Sequence, residues 1–218
     1  MDSELRALRQ AVAEANWALP KAGLVTMHSG NASGYLPEHD VLVIKPSGMD
    51  YEAITPDNLV AVRVSTGEVL GSNLRPSVDL PHHLFLYRHL PDVRGVIHTH
   101  SNYATAFAAV GRAVPLVLTA IADEFGAEIP CAPYVDNEGE HIGEAILKYR
   151  NRAPSILMGN HGVFAWGSSP KAALKAAVMT EDVAKTVWLA MQIGDPKVIP
   201  ADEAEKWYDR YHNRYGQG

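Results

Sequence analysis

Hydrophobic positions along the chain follow two rhythms. Leu5, Leu8, Val12 and Ala15 form one apolar stripe at helical spacing, predicting an amphipathic helix over residues 3–18. The run "DVLVIKPSG" (residues 40–48) is apolar until Pro46, Ser47 and Gly48 interrupt it, which predicts a strand and then a loop. "NLVAVRVSTGEVLGS" (58–72) alternates around Thr66 and Gly67 and predicts a hairpin. Leu80, His83, Leu84 and Tyr87 share one face of a helix expected over 79–90. "VRGVIHTH" (93–100), "VPLVLTAI" (114–121) and "SILMGNHGVFAWG" (155–167) have the composition of strands. Helices are expected over 102–110, with Gly111 as a stop, and over 139–149, 170–193 and 203–215. The 170–193 helix opens on Ser168, Ser169 and Pro170, a cap followed by proline in the first turn. Helices alternate with strands and hairpins also occur. That pattern favours a layered α/β domain with a mixed or largely antiparallel sheet over a doubly wound one.

No repeat, low-complexity block or linker interrupts the 218 residues, so one domain over residues 1–218 is expected. The net charge of −6 argues against a nucleic-acid surface, although local amides and a few cations can still hold a phosphate. The lone cysteine, Cys131, excludes an intramolecular disulfide, and no secretion-type leader is visible, so a cytoplasmic location is expected. No apolar run reaches membrane-spanning length, and no membrane partner is expected.

The chemistry concentrates in histidines. His98 and His100 lie two residues apart in "GVIHTHSN", on one face of a strand and about 7 Å apart. Two imidazoles at that spacing either converge on one ion or are polar groups at a strand end. His161, bracketed by Gly159 and Gly162 in a strand break, is a candidate third ligand or a turn histidine. Three neutral histidines with open positions suit a catalytic zinc site, whereas structural zinc usually uses several cysteines and this chain has one. Imidazole accepts several divalent ions, so manganese or another divalent metal is an alternative. His82 and His83 either support such a site or pack on or under their helix.

Asp79 precedes a helix. It is expected as an N-cap, and could also ligate the metal or take a proton. Asp123, after the apolar run ending at Ile121, is an acid/base candidate or a loop acid, with Glu124 its rival. "HSGNASG" (28–34) and "IKPSGMD" (44–50) are two Gly/Ser loops without a nucleotide-binding fingerprint. Their amides and hydroxyls, with Lys45 and with Ser77 ahead of the next helix, could cradle a phosphate or be ordinary turns.

The loop around Asn31, the Lys45–Pro46–Ser47–Gly48 turn, "PSVD" before a helix, His-Thr-His and "NHG" occur in one order along the chain. Together they resemble the class II aldolase/adducin-head family. Within it the chain is most similar to the L-ribulose-5-phosphate 4-epimerases, through "NWALPKAGLVTMHSGNASGYL", "VLVIKPSGMDY" and the ending "RYGQG". The resemblance implies a three-layer αβα domain with a mixed, largely antiparallel sheet, and a homotetramer with active sites between subunits. It implies zinc on His98, His100 and His161 with Asp79 beside the metal. It implies acid/base roles for Asp123 and Tyr215, at least one reaching in from a neighbouring subunit. Asn31, Lys45, Ser47, Gly48 and Ser77 match its substrate and phosphate contacts. The implied reaction inverts C4 of a phosphorylated ketopentose, L-ribulose 5-phosphate, by retro-aldol and aldol steps through a metal-stabilised enediolate. The alternatives are a sugar-phosphate aldolase of the fuculose or rhamnulose type, which releases the aldehyde, and a non-catalytic module like the adducin head. Two departures stand out: Val78 replaces a second serine, and residues 131–151 form a shorter segment than in typical epimerases.

Overall fold

In the computed structural model, which describes residues 2–215, the first apolar stripe becomes helix α1 (Asp2–Lys21). Strands β1 (Asn31–Leu36), β2 (Val41–Ile44), β3 (Val60–Arg63) and β4 (Val69–Leu70) follow. Helix α2 (Leu80–His89), strand β5 (Gly95–Thr99) and helices α3 (Asn102–Ala109) and α4 (Thr119–Phe125) come next. The chain then forms β6 (Cys131–Ala132), α5 (His141–Tyr149), β7 (Ser155–Met158), β8 (Gly162–Gly167), α6 (Pro170–Ile193) and α7 (Ala201–Arg214). The last three residues of the "RYGQG" ending, 216–218, lie outside the described residues.

The strands form one sheet in the order β4-β3-β2-β1-β5-β8-β7-β6. Every pairing is antiparallel except β6 with β7. Alternation assigns the two faces. Leu42, Val96 and Phe164 join the core beneath α2 and α5. Their neighbours Val43, Ile97 and Ala165 join the core beneath α1 and the first half of α6. Farther along that second face, α3, α4 and the rest of α6 bury Phe107, Ile121, Phe125 and Val183. The result is the expected single α/β domain with a mixed, largely antiparallel central sheet. Among the described residues no helix is long and apolar enough to cross a membrane.

Two elements differ from the sequence expectation. Residues 31–36, of which 31–34 are expected within the 28–34 loop, form β1, a central strand. Its first four residues pair with β5 and its last four with β2, so neighbours on both sides supply the stability its Gly and Ser residues do not. The strand expected over 114–121 reduces to an isolated bridge between Val114 and Ile129. Pro115 has no N–H to continue a ladder. From Thr119 the chain turns into α4, closed by Gly126 at φ 62°. Ile121, Ala122 and Phe125 are all fully buried at helical spacing, but a seven-residue helix is too short for that period to stand out from the apolar run before it. Asp123 and Glu124 therefore sit on a helix.

The N-terminus of α6 rests on a row of glycines. Gly34, Gly95 and Gly167 stand side by side across β1, β5 and β8. A Cβ on Gly95 would lie 2.4 Å from the Ser169 carbonyl oxygen and 2.6 Å from the Pro170 nitrogen. Those are backbone atoms that cannot rotate away. Gly95→Ala is expected to cost about 1–3 kcal/mol of stability, read as a lower urea midpoint at unchanged slope.

Candidate active site

The site lies where the N-terminal end of β1, the loop after β2, the approach to α2, the C-terminal end of β5, the segment before α5 and the β7–β8 turn meet. They enclose a cavity of about 340 Å³ lined by Asn31, Lys45, Ser47, Gly48, Ser77, Asp79, His98, His100 and His161, with His28 to Gly30, Val78 and Asn137. Every residue expected as a metal ligand or phosphate contact reaches this one cavity.

His98 occupies the fourth position of β5, on the same face as Val96, and stacks on Phe164 with ring centroids 4.4 Å apart. Its Nδ1 faces the Val163 carbonyl at 2.9 Å. That contact places the proton on Nδ1 and leaves the Nε2 lone pair free. His100 follows the strand's last residue, and His161 is carried by the turn between β7 and β8. The rings of His98 and His161 have centroids 4.8 Å apart, and those of His100 and His161 5.3 Å. One nitrogen from each of the three lies within 4.8 Å of the others. Burial depresses the pKa of His98 to about 3. Desolvation also pulls His161 and His100 below their ordinary value, although His100 is the most exposed of the three. All three are therefore neutral at pH 7.

This donor set fits a divalent ion. Nε2 of His98 and of His100 lie 2.9 Å apart, two neutral nitrogens facing each other. Bonds of about 2.0–2.1 Å to one tetrahedral ion would hold such nitrogens about 3.3 Å apart. That requires only a small outward adjustment.

Asp79 stands outside this donor group. It occupies the N-cap position of α2, but its side chain makes no capping hydrogen bond. The carboxylate turns to the cavity instead, where Asn31 Nδ2 donates to its Oδ2 at 2.6 Å. Burial pushes the Asp79 carboxyl up. The nearby imidazoles His98 and His83 and the Asn31 amide outweigh that and hold it below the usual carboxylate range. It is an ionised carboxylate beside three neutral imidazoles. Asn31 also donates to Ser77 Oγ at 3.0 Å, while its Oδ1 is buried with no partner within the protein. That oxygen can accept a hydrogen bond from a hydroxylated ligand.

The expected phosphate contacts adjoin this group, Ser77 Oγ lying 3.5 Å from Asp79 Oδ2. An antiparallel bridge between Pro46 and Pro76 ties the 44–50 loop to the segment ahead of α2, with Ser47 N donating to the Arg75 carbonyl and Ser77 N to the Lys45 carbonyl. Lys45 is 2% exposed. Its ammonium donates to the His28 carbonyl at 3.1 Å and sits 5.1 Å from the centre of the Tyr51 ring. Burial lowers its pKa, opposed by Asp50 and Asp79. A buried cation facing a polar cavity suits an anionic ligand group.

Two expected residues are absent from the cavity lining. Asp123 lies half-buried on α4, and Tyr215 is exposed past the end of α7, its ring stacked on Tyr211 with centroids 5.5 Å apart. Glu124, the rival acid, is engaged by Lys175 Nζ at 2.7 Å. His83 is buried beneath the site with Nδ1 2.7 Å from Ser33 Oγ, and His82 is buried against Phe164. Asn137 lines the cavity without having been singled out in the sequence. It arrives on the irregular segment before α5, and no periodicity marks it.

Known proteins share this fold. The Class II Aldolase and Adducin N-terminal domain pattern matches residues 10–188, a span that includes the whole cavity lining. Among solved structures, an L-fuculose 1-phosphate aldolase superposes with a TM-score of 0.83 at 25% identity, covering 94% of this chain and 96% of that one. YgbL from Escherichia coli is 25% identical, with a TM-score of 0.78 over 94% of this chain and 99% of its own. YgbL from Klebsiella pneumoniae is 26% identical, with a TM-score of 0.78 over 93% and 98%. With the family pattern matched over residues 10–188 and the fold superposing over 94% of its length, the chain belongs to the class II aldolase and adducin N-terminal domain family.

Proposed function

We propose that this protein is a metal-dependent epimerase that inverts C4 of L-ribulose 5-phosphate, giving D-xylulose 5-phosphate. The observation that carries the reading is the ionised Asp79 carboxylate, fixed by Asn31 at 2.6 Å, beside three neutral imidazoles that can share one ion. A divalent ion on His98, His100 and His161, zinc in this reading, supplies Lewis acidity toward a carbonyl oxygen. Asp79 lies in the same cavity, placed to hold a proton close to the reacting carbons. Asn31 Oδ1 accepts from a sugar hydroxyl. Lys45, Ser47, Gly48 and Ser77 hold the phosphate, which keeps the aldehyde fragment from leaving.

The reaction removes the C4 hydroxyl proton as the C3–C4 bond breaks, and the bond's electron pair stays with the three-carbon fragment. Glycolaldehyde phosphate then turns, the bond re-forms on its other face, and the C4 oxygen regains a proton. That sequence needs acid/base groups on both sides of the aldehyde. Asp123 and Tyr215 take those roles, at least one of them reaching in from a neighbouring subunit of a homotetramer; in their own subunit neither lines the cavity, which supports this reading. The second reading is an aldolase that releases the aldehyde, favoured by the likeness to L-fuculose 1-phosphate aldolase.

Product identification by NMR with zinc-loaded protein and L-ribulose 5-phosphate separates these readings. Accumulation of D-xylulose 5-phosphate supports epimerisation. Free glycolaldehyde phosphate with dihydroxyacetone supports the aldolase, and an unchanged substrate rejects both for this sugar. Asp123→Asn and Tyr215→Phe are each expected to slow turnover by about 10²-fold or more, and full activity in both variants removes the acid/base assignment.

A further inference from the structure

His100 and His161 come from segments sixty residues apart, and the short helix α3 connects their positions. Its first residue, Asn102, stands two positions after His100. At its far end the Ala108 carbonyl accepts the backbone N–H of Asn160 at 3.1 Å, and Ala109 accepts from Asn160 Nδ2 at 3.4 Å. Asn160 immediately precedes His161 and adopts φ 57° to make the turn. Helix α3 is thus a spacer, with one metal-ligand candidate at each end.

Eight residues make a helix too short to hold its first turn unaided. The N-cap residue, Ser101, does not help: its side chain makes no capping hydrogen bond, and its Oγ is buried without a partner. The cap comes from α6 instead. Glu181 accepts the N–H of Tyr103 through Oε1 and that of Ala104 through Oε2, both at 2.9 Å. A carboxylate on two amides at a helix N-terminus is a charge-assisted bidentate contact, favoured also by the helix dipole. It fixes the first turn of α3, and with it the chain leaving His100, to the largest helix of the fold.

We propose that Glu181 is a positioning residue for the three-histidine centre, acting through α3 to hold His100 in register with His98 and His161. This rests on the reading that those histidines bind a divalent ion. The test is Co²⁺ affinity, measured by chelator competition, together with the visible spectrum of the Co²⁺ form. Both are compared among wild type, Glu181→Ala, Glu181→Gln and Ser169→Ala. Ser169 caps α6 by accepting from Ala172 N at 3.1 Å, so its loss destabilises the same helix away from the histidines. Glu181→Ala is expected to weaken Co²⁺ binding about tenfold or more and to shift the Co²⁺ bands. Glu181→Gln, with one acceptor oxygen left, should recover part of the affinity. Ser169→Ala should lower the melting temperature with no change in affinity. Co²⁺ affinity of Glu181→Ala within twofold of wild type overturns the proposal, as does an equal loss in Ser169→Ala. Wild-type protein that binds no Co²⁺ overturns this proposal and the metal reading together.

Discussion

Replacing Asp79 by asparagine should reduce kcat by about 10²- to 10⁴-fold, the range expected when a positioned acid/base group is lost. The fold and the histidine cluster should survive. Asparagine has the same shape and retains an oxygen to accept from Asn31 Nδ2, so the hydrogen bond now at 2.6 Å persists in a neutral form. The imidazoles stay neutral as well. The Asp79 charge raises the pKa values of His98, His100 and His161, so removing it lowers them further from neutrality. Metal loading at pH 7 is therefore not limited by protonation in the variant. The expected signature is a large loss in kcat, metal content near wild type by elemental analysis, and a melting temperature within a few degrees. Wild-type turnover in Asp79→Asn would remove Asp79 from the chemistry. A kcat loss that follows lost metal would make it a ligand in function.

The metal candidates were legible because they obey local rules. His98 and His100 share a strand face by period-two spacing, and the glycines around His161 announce a turn. Even so, β5 ends at Thr99, and His100 reaches the site from just beyond the strand. The Ser169–Pro170 signal placed the start of α6, and Ser169 Oγ does accept from Ala172 N at 3.1 Å. Where the sequence misled, long-range structure overrode local preference. Residues 31–36 are a strand because β2 and β5 flank them, and nothing in "NASGYL" announces it. Residues 119–125 are a helix too short for its period to stand out after the apolar run that precedes it.

The same distinction runs through the site. Asp79 was expected as an N-cap, and its position is right, but Asn31, forty-eight residues away, draws the carboxylate into the cavity. Conversely, the cap of α3 comes from Glu181, whose contacts span seventy-eight and seventy-seven residues. Capping residues are found from sequence when they are local. Here the Asp79 side chain leaves its capping position for a contact across the fold, and the cap of α3 is supplied from across the fold in place of Ser101. A residue such as Asn137, delivered by an irregular segment, has no local signature.

Acidification should destabilise the metal-free protein steeply between about pH 6.5 and pH 3, and buried histidines set the sign. His83 is fully buried beneath the site, with its Nδ1 at Ser33 Oγ and its Nε2 unpartnered within the protein. Burial lowers its pKa to about 3; Asp79 opposes the shift and His82 adds to it. His98 is lowered to about 3 by the same desolvation. In the unfolded chain both titrate near 6.5. Below that pH the unfolded state binds protons that the folded state refuses, so unfolding becomes easier as pH falls. Each histidine contributes a slope of about 1.4 kcal/mol per pH unit. At pH 5 the two together remove about 4 kcal/mol, a large part of the 5–15 kcal/mol typical of a folded domain. Asp79 acts in a separate window. Its carboxyl is depressed, so its contribution is lost only as pH falls below the ordinary carboxylate range. Urea unfolding at pH 7.5 and pH 5, with metal removed, measures the drop. His83→Asn can keep a polar contact to Ser33 while removing one titrating ring. It should be less stable than wild type at pH 7.5 and lose about 2 kcal/mol less between the two pH values. A pH dependence that His83→Asn leaves unchanged would mean that His83 is reached by water and protonated in the folded state.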